Sequence, residues 1–515
     1  MGLLQITFLL AITSLCLGKD YYRAAVLEHV RFGDTSYSSE EIIQINLKKY
    51  ELAAKKAALE GADIIVFPEW GLYPDDKENK SYLLSFGEDI PDPKLRLWNP
   101  CNEKEHFNEN SVLVHLSCMA KDHGMFLVAN IVDKKTCLPQ TCDADNVDSC
   151  ISVSCPSDGI YYFNTNIVFN REGTLVVRYY KRHLWIEPNM TPTFSPEHAF
   201  FETDFGNFTT FICFDITYKE AVDAVETLGV HNIAYPTYWF DHNPFAVATA
   251  FQQSWAFRNK VNLLASNAHF PGTGTGGSGI YSSRKGALIY SQNPDGRSKL
   301  LVSNVPKSPS ESTKTSFVPN AKKFIVHEDE LEEVTHDNEK HLNNMCDMRV
   351  LGLPKDPLHD YRCLPTNVST YVFVKLNKTE DSLKLCSDKL CCSLSYQADS
   401  MSENYYFGVS GQDFNFYNRF SFGIEACLLA RCESVNENIC SNYLLKSDTV
   451  FRSVKLTGTF NTQYVYPFAM DSNLYLTKRN EWDFEKDALI YTAKRKNHLV
   501  FLGLYGRLYE LDKDL

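Results

Sequence analysis

Residues 208–220 read "FTTFICFDITYKE". Phe208, Phe211 and Ile212 are apolar and Thr209 and Thr210 favour extended backbone, so the stretch predicts a buried strand running to about Ile216. Cys213 then sits at its end beside an acid, and a helix pattern follows. In sheets covered by helices, the carboxyl ends of strands are where reactive groups are displayed. Cys213 is therefore a half-cystine, an inert buried thiol or a nucleophile, and the other cysteines bear on which.

The chain of 515 residues has 16 cysteines. Cys16 falls in "MGLLQITFLLAITSLCLG", an apolar run ending in small residues that reads as a secretory leader over 1–18. It is shorter than the about 20 apolar residues of a membrane span. Asn79, Asn189, Asn207, Asn367 and Asn377 each begin an Asn-x-Ser/Thr sequon, which agrees with a secreted glycoprotein. Fifteen cysteines remain, an odd number, so in an oxidising compartment one thiol is free or pairs with another chain. Only Cys213 is isolated in an apolar strand pattern. Parity leaves a small buried hydrophobe and a reactive group equally open.

The net charge is −13, without a basic patch or polybasic tail, which argues against nucleic acid and anionic membranes as partners. The last residues, "LVFLGLYGRLYELDKDL", end in charges rather than the apolar tail of a lipid-anchor signal, so a soluble secreted protein without a membrane anchor is expected.

Strand and helix signals alternate from "YYRAAVLEHV" (21–30) to "VNLLASNA" (261–268). Between them lie a helix over 39–59 with Ser38 and Glu41 at capping-box spacing, "ADIIVFPE" (62–69), a helix over 111–123, "MFLVANIV" (125–132) and a hairpin over 160–181. This alternation predicts an α/β fold, a central sheet covered by helices. From 306 to 345 the chain is rich in Ser, Pro, Thr and charge, and reads as a linker or long loop. His327 among acids lacks metal-ligand spacing, and "HEDELEEVTHDNEKH" (327–341) reads as a solvated face. Residues 346–515 alternate apolar and polar and hold many cysteines, predicting a β-rich domain stapled by disulfides.

Two further strands end on chemistry. "IIVFPE" ends in Glu69, and "VVRYYK" ends in Lys181 with Glu187 six residues on. An acyl-transfer thiol needs a base, a cation or amide donors for the oxyanion, and a strand end to present it.

The order Glu69, Lys181, Cys213 resembles the nitrilase superfamily of carbon–nitrogen hydrolases. "ADIIVFPE", "YYKRHL", "FICFDI", "YPTYW" and "NLLASNAHFP" are similar to its vanin and biotinidase branch, as are "DIPDPKLRLWNPC", "LCSDKLCCSLSY" and "LYGRLYE". The resemblance implies an αββα sandwich over 19–305 and a β-rich base domain over 346–515. It implies that Cys213 is the nucleophile, Glu69 the general base, and Lys181 with the N–H after Cys213 the oxyanion donors. Glu187, Phe214 and Trp239 are implied to position lysine or substrate, and no metal or organic cofactor is expected. A nearby ammonium is expected to lower the thiol pKa. The chemistry implied is hydrolysis of a small-molecule amide, pantetheine or, alternatively, biocytin; a silent secreted binding glycoprotein is the reading from another class. Trp70 stands where the branch has Asp, Tyr238 where it has Ala, and "GTGTGG" (272–277) is richer in glycine. These segments are expected to rim the pocket or to pack in the core.

Overall fold

In the computed structural model, residues 19–34, 36–73, 85–108, 110–137, 155–193, 198–241, 245–270, 274–292, 295–309, 317–335, 366–367, 370–411, 414–416, 419–432, 435–436, 439–440, 447–472, 475–494 and 498–514 are described. The leader over 1–18, Asn79, Cys142, Cys150, Cys346 and Cys363 lie outside them, as do the side chains of Asn367 and Cys440.

The first half builds two mixed sheets. One runs in the order β14-β13-β12-β1-β2-β3-β4-β5, with β1 Tyr21–Glu28, β2 Ile64–Val66, β3 Phe126–Thr136, β4 Ile160–Phe169, β5 Leu175–Tyr180, β12 Ser298–Pro306, β13 Lys322–Val326 and β14 Leu331–Glu333. The other runs β11-β10-β9-β8-β7-β6, with β6 Ala199–Thr203, β7 Gly206–Thr210, β8 Asn232–Thr237, β9 Asn262–Asn267, β10 Ser278–Ser282 and β11 Gly286–Ser291. Strand periodicity explains how they stack. Tyr22, Ala24, Val26, Ile64 and Val66 face Phe208, Ile233, Tyr235 and Leu263 between the sheets. Their neighbours Ala25, Leu27, Ile65 and Phe67 face the opposite way, onto α1 (Ser39–Leu59) and α2 (Val112–His123). On the far side, α3 (Lys219–Leu228) and α4 (Ala248–Arg258) cover the second sheet with Val222, Val225, Phe251 and Trp255. Four layers result, helices outside and two sheets within.

Helix α1 starts as its capping box predicts: Ser38 Oγ accepts from the Glu41 N–H, and the Glu41 carboxylate accepts from the Ser38 N–H at 2.9 Å. It buries Ala53, Ala54 and Ala57 with Tyr50, whose ring stacks on Phe67 at 3.9 Å between centroids. Small alanines on that face let the helix sit close to the sheet.

Two expectations are corrected. The strand through 208–216 ends at Thr210, and Cys213–Thr217 form a 3-10 turn. The Asp215 carboxylate takes the Ile212 N–H at 3.0 Å and Tyr235 Oη donates to the Cys213 carbonyl at 2.8 Å, so those backbone groups leave the ladder. The expected linker over 306–345 contains β13 and β14, which extend the first sheet. Lys322–Val326 pair with Ser298–Val302, and Phe324 and Val326 are buried against the α1 face. The Ser, Pro and Lys around "KKFIV" obscured a strand whose apolar residues complete that layer.

The β-rich half is a sandwich. One sheet joins Val372–Lys375, Tyr405–Ser410, Ile424–Arg431, Leu499–Arg507, Val465–Asp471 and Tyr475–Leu476; the other joins Glu380–Ser387, Leu390–Ala398, Phe451–Gly458, Ala488–Thr492 and Trp482–Glu485. Leu394, Tyr396, Phe407, Val409, Leu429 and Leu456 fill the space between. The disulfide Cys392–Cys427 crosses it and Cys386–Cys391 closes a hairpin. Cys101–Cys118 and Cys137–Cys155 staple the first half. Among the described residues, Cys213 is the free cysteine. The outer face of the six-stranded sheet of the β-rich half packs on α4 and the segment before it, with Phe468 against Phe251 at 6.4 Å and against Phe245 at 5.2 Å.

Candidate active site

Three strand ends converge between the two sheets. Pro68 and Glu69 follow β2, Lys181 is the residue after β5, and Cys213 opens the turn after β7. Glu69, Lys181, Glu187 and Cys213 are all buried. Lys181 Nζ donates to Glu69 Oε1 at 2.7 Å and to Glu187 Oε1 at 2.5 Å. Tyr238, just past β8, gives its N–H to Glu69 Oε2 at 2.8 Å. Asn164 on β4 donates one amide group to both glutamates, at 2.8 Å to Glu69 and 3.0 Å to Glu187.

The backbone is strained where it delivers these groups. Cys213 has φ +43°, Trp70, next to Glu69, has φ +55°, and Ile186, next to Glu187, has φ +46°. Residues with side chains enter this left-handed region at a cost on the order of 1–3 kcal/mol and keep it only when the surroundings hold them there. Asp215 does part of the holding. Its carboxylate accepts from Tyr179 Oη at 2.9 Å and the His183 N–H at 2.8 Å besides Ile212, tying the Cys213 turn to both sides of Lys181.

The net effect on the thiol is not the expected lowering. Burial pushes the Cys213 thiol well above its usual range and the Glu69 carboxylate adds to that, while Lys181, Thr237 and the Tyr238 N–H oppose it. Lys181 favours the thiolate as expected, but burial first and Glu69 second outweigh it. Burial alone would lower the Lys181 pKa, but Glu187, Glu69 and Cys213 raise it well above the usual lysine value, so it stays an ammonium. Burial raises the Asp215 carboxyl, against the pull of His183 and Lys181. The site at rest thus holds a neutral thiol beside a fixed cation and carboxylates, a set able to move a proton from sulfur to oxygen when an amide is attacked.

The other predicted positions lie around this centre. Phe214 packs its ring against Trp185 at 4.7 Å and Phe420 of the β-rich half at 5.0 Å. Trp239 stacks on Phe251 at 5.1 Å and donates from Nε1 to the Ala246 carbonyl at 2.8 Å. Trp70 and Tyr238 are buried, linked by Arg31, whose Nη1 donates to the Trp70 carbonyl at 2.9 Å and whose guanidinium lies 4.8 Å from the Tyr238 ring. Gly276, with φ +143°, cannot carry a side chain, since a Cβ there would lie 2.7 Å from His269 Nδ1. Of the sequons, Asn207 and Asn377 are exposed and Asn189 is half-buried.

Sequence reading missed Asn130, Asn164, Thr237 and Asp215. One signal was there: "YFNTNIVF" places Asn164 and Asn166 two apart in an apolar strand, so two amides share one buried face.

Residues 35–303 match the carbon-nitrogen hydrolase family, and residues 361–512 match the vanin C-terminal domain. The chain belongs to the carbon–nitrogen hydrolase family. Pantetheinase of Homo sapiens is 32% identical to this hydrolase over 505 residues, 96% of this chain and 90% of that protein. Biotinidase of Mus musculus is 32% identical over 515 residues, 95% of this chain and 94% of that protein. An amidase from Nesterenkonia sp. has a solved structure that is 18% identical, covers 57% of this hydrolase and 93% of its own chain, and superimposes with a TM-score of 0.39. This hydrolase acts on carbon–nitrogen bonds other than peptide bonds. No helix among its described residues is long and apolar enough to cross a membrane.

Proposed function

We propose that this hydrolase is a secreted amidase that cleaves pantetheine to pantothenate and cysteamine through a thioester on Cys213. What carries the reading is a buried Glu69–Lys181–Cys213 constellation in a chain similar to pantetheinases along nearly its whole length. Disulfides in both halves favour an oxidising, extracellular setting.

In this reading Glu69 takes the thiol proton as sulfur attacks the amide carbon. Deprotonation waits for substrate, because burial disfavours a standing thiolate. The negative charge that develops on the amide oxygen is met by the Lys181 ammonium and the N–H of Phe214. Glu69 returns the proton to the leaving amine, and the carbon–nitrogen bond breaks to leave the thioester. Water then attacks, its proton going to Glu69, and the acid departs as the thiol re-forms. Glu187 anchors the second side of Lys181, so the ammonium keeps its place while Glu69 changes charge.

A second reading, hydrolysis of biocytin, is favoured by the equal identity to mouse biotinidase. Both use the same machinery, so the acyl group decides between them, and Trp70 and Tyr238 are where this chain departs from that branch. Purified protein assayed with each amide is the test. Release of cysteamine from pantetheine well above release of lysine from biocytin supports the first reading; the reverse order selects the second. Turnover of neither by protein whose Cys213 alkylates normally removes both substrates.

A further inference from the structure

Asn164 occupies the point where the two glutamates meet. Its Nδ2 serves both carboxylates, and its Oδ1 accepts from Asn130 Nδ2 at 2.7 Å. The acceptor contact fixes which way the amide points. Turned over, it would press Oδ1 against two carboxylates and its NH2 against another NH2.

The chain of amides continues on both sides. Asn130 Oδ1 accepts the N–H of Trp70 at 3.1 Å, holding the residue after Glu69 in its left-handed conformation. Asn130 Nδ2 also reaches Asn166 Oδ1 at 3.2 Å. Asn166 Nδ2 donates to Thr210 Oγ1 at 2.8 Å and faces the Phe211 carbonyl at 3.4 Å, two residues before Cys213. Asn130 and Asn166 are direct cross-strand partners on β3 and β4, and all three side chains are buried. Other charged or titratable groups face the same centre: Lys181 after β5, Cys213 and Asp215 on the turn, and Tyr235 on β8. A neutral donor suits this place. An acid would add repulsion, and a base would compete with Lys181.

We propose that Asn164 is a positioning residue of this amidase: it holds the side chains of Glu69 and Glu187 in place around Lys181 and, through Asn130 and Asn166, keeps them in register with the segment that leads to Cys213. The proposal rests on Glu69 being the base. Its physical content is that a donor to an ionised carboxylate favours the ionised form, so losing the donor makes the carboxylate hold its proton to a higher pH.

The test is the pH dependence of Cys213 alkylation by iodoacetamide in the full-length protein, alongside kcat/KM for pantetheine, in wild type, Asn164→Ala and Asn164→Asp. The acidic limb of both profiles moves up by about one pH unit in Asn164→Ala, as expected for the loss of one hydrogen bond to a charged group. At a pH below that limb both rates fall about tenfold, and they recover toward wild type as pH rises. Asn164→Asp, nearly the same shape, moves the limb further because it adds a like charge, and it carries the test if the alanine variant does not fold. A limb that stays in place in a folded variant overturns the proposal. So does a rate lost equally at every pH, which is what a purely structural role gives. Alkylation needs no amide substrate, so a wild-type protein inert to pantetheine refutes that substrate while leaving the Asn164 test in force.

Discussion

The N–H of Tyr238 lies 2.8 Å from Glu69 Oε2, so the residue that follows a strand of the second sheet completes the setting of a carboxylate delivered by the first. The other oxygen, Oε1, is taken by Lys181 and Asn164. Glu69 is thus fixed from three elements.

Glu69→Gln keeps the shape and removes the group proposed as the base. Turnover is expected to fall by a factor of about 10²–10⁴, the range for losing a positioned general base, and Tm falls too, because one oxygen of Glu69 becomes an NH2 facing a donor and the pair with Lys181 is lost. Steady-state kinetics and a melting curve check this; a variant retaining more than a tenth of wild-type kcat would assign the proton transfer elsewhere.

Lys181→Met is expected to abolish measurable amidase activity if Lys181 is the proposed oxyanion cation, since losing one oxyanion donor costs about 3–4 kcal/mol of barrier. Stability falls too, because two buried carboxylates lose their cation. Alkylation of Cys213 slows and its pH profile moves up, as Lys181 is one of the groups favouring the thiolate. Lys181→Arg does not rescue, because a planar fork does not fit a site closed at 2.5 and 2.7 Å around a compact ammonium. Near wild-type rates in either variant would place the oxyanion cation at another residue.

Asp241 makes stability depend on pH. Its carboxylate accepts from the Ala248 N–H at 2.7 Å and from Gln292 Nε2 at 2.9 Å, and burial, with Glu28 nearby, pushes its pKa up to about 7 from 3.8. The native state therefore holds a proton that the unfolded chain has released. The stability this contributes is present below about pH 4 and is lost as pH rises to about 7, by roughly 4 kcal/mol as an upper bound. Asp241→Asn does not titrate, so wild type is expected to lose Tm relative to the variant across that window. Differential scanning calorimetry at pH 4, 5.5 and 7 decides it; a constant Tm difference contradicts the assignment.

Arg507 ties the β-rich half to the Cys213 turn. It donates to the Gly423 carbonyl at 2.9 Å and the Thr217 carbonyl at 3.1 Å, and pairs with Asp512 at 2.6 Å. Arg507→Ala takes the cation from the Asp512 carboxylate and a donor from the Gly423 and Thr217 carbonyls, and is expected to cost about 3–5 kcal/mol by urea unfolding, with slower Cys213 alkylation in the remaining folded protein. Arg507→Lys recovers the ion pair but not all three contacts, and falls between. An alanine variant with wild-type stability and alkylation would leave the turn independent of the second half.

Read alone, the sequence determined an alternation of strands and helices and the reactive strand ends, while the two-sheet layering came from its resemblance to the nitrilase superfamily. Apolar residues two apart, the Ser38–Glu41 cap and an odd count of cysteines are local or compositional signals, and they led to Glu69, Lys181 and Cys213 as well as to a disulfide-stapled β half. Tertiary structure alone decided what those groups do to one another. Asn164 meets Glu69 across 95 positions of chain, and Arg507 meets Thr217 across 290. Neither meeting leaves a periodic trace, because each depends on which strands lie side by side. The same holds for β13, whose place beside β12 is settled by the apolar face it covers on α1. It holds for the thiol as well: the resemblance placed an ammonium beside Cys213, and Lys181 does favour the thiolate, but burial and Glu69 outweigh it.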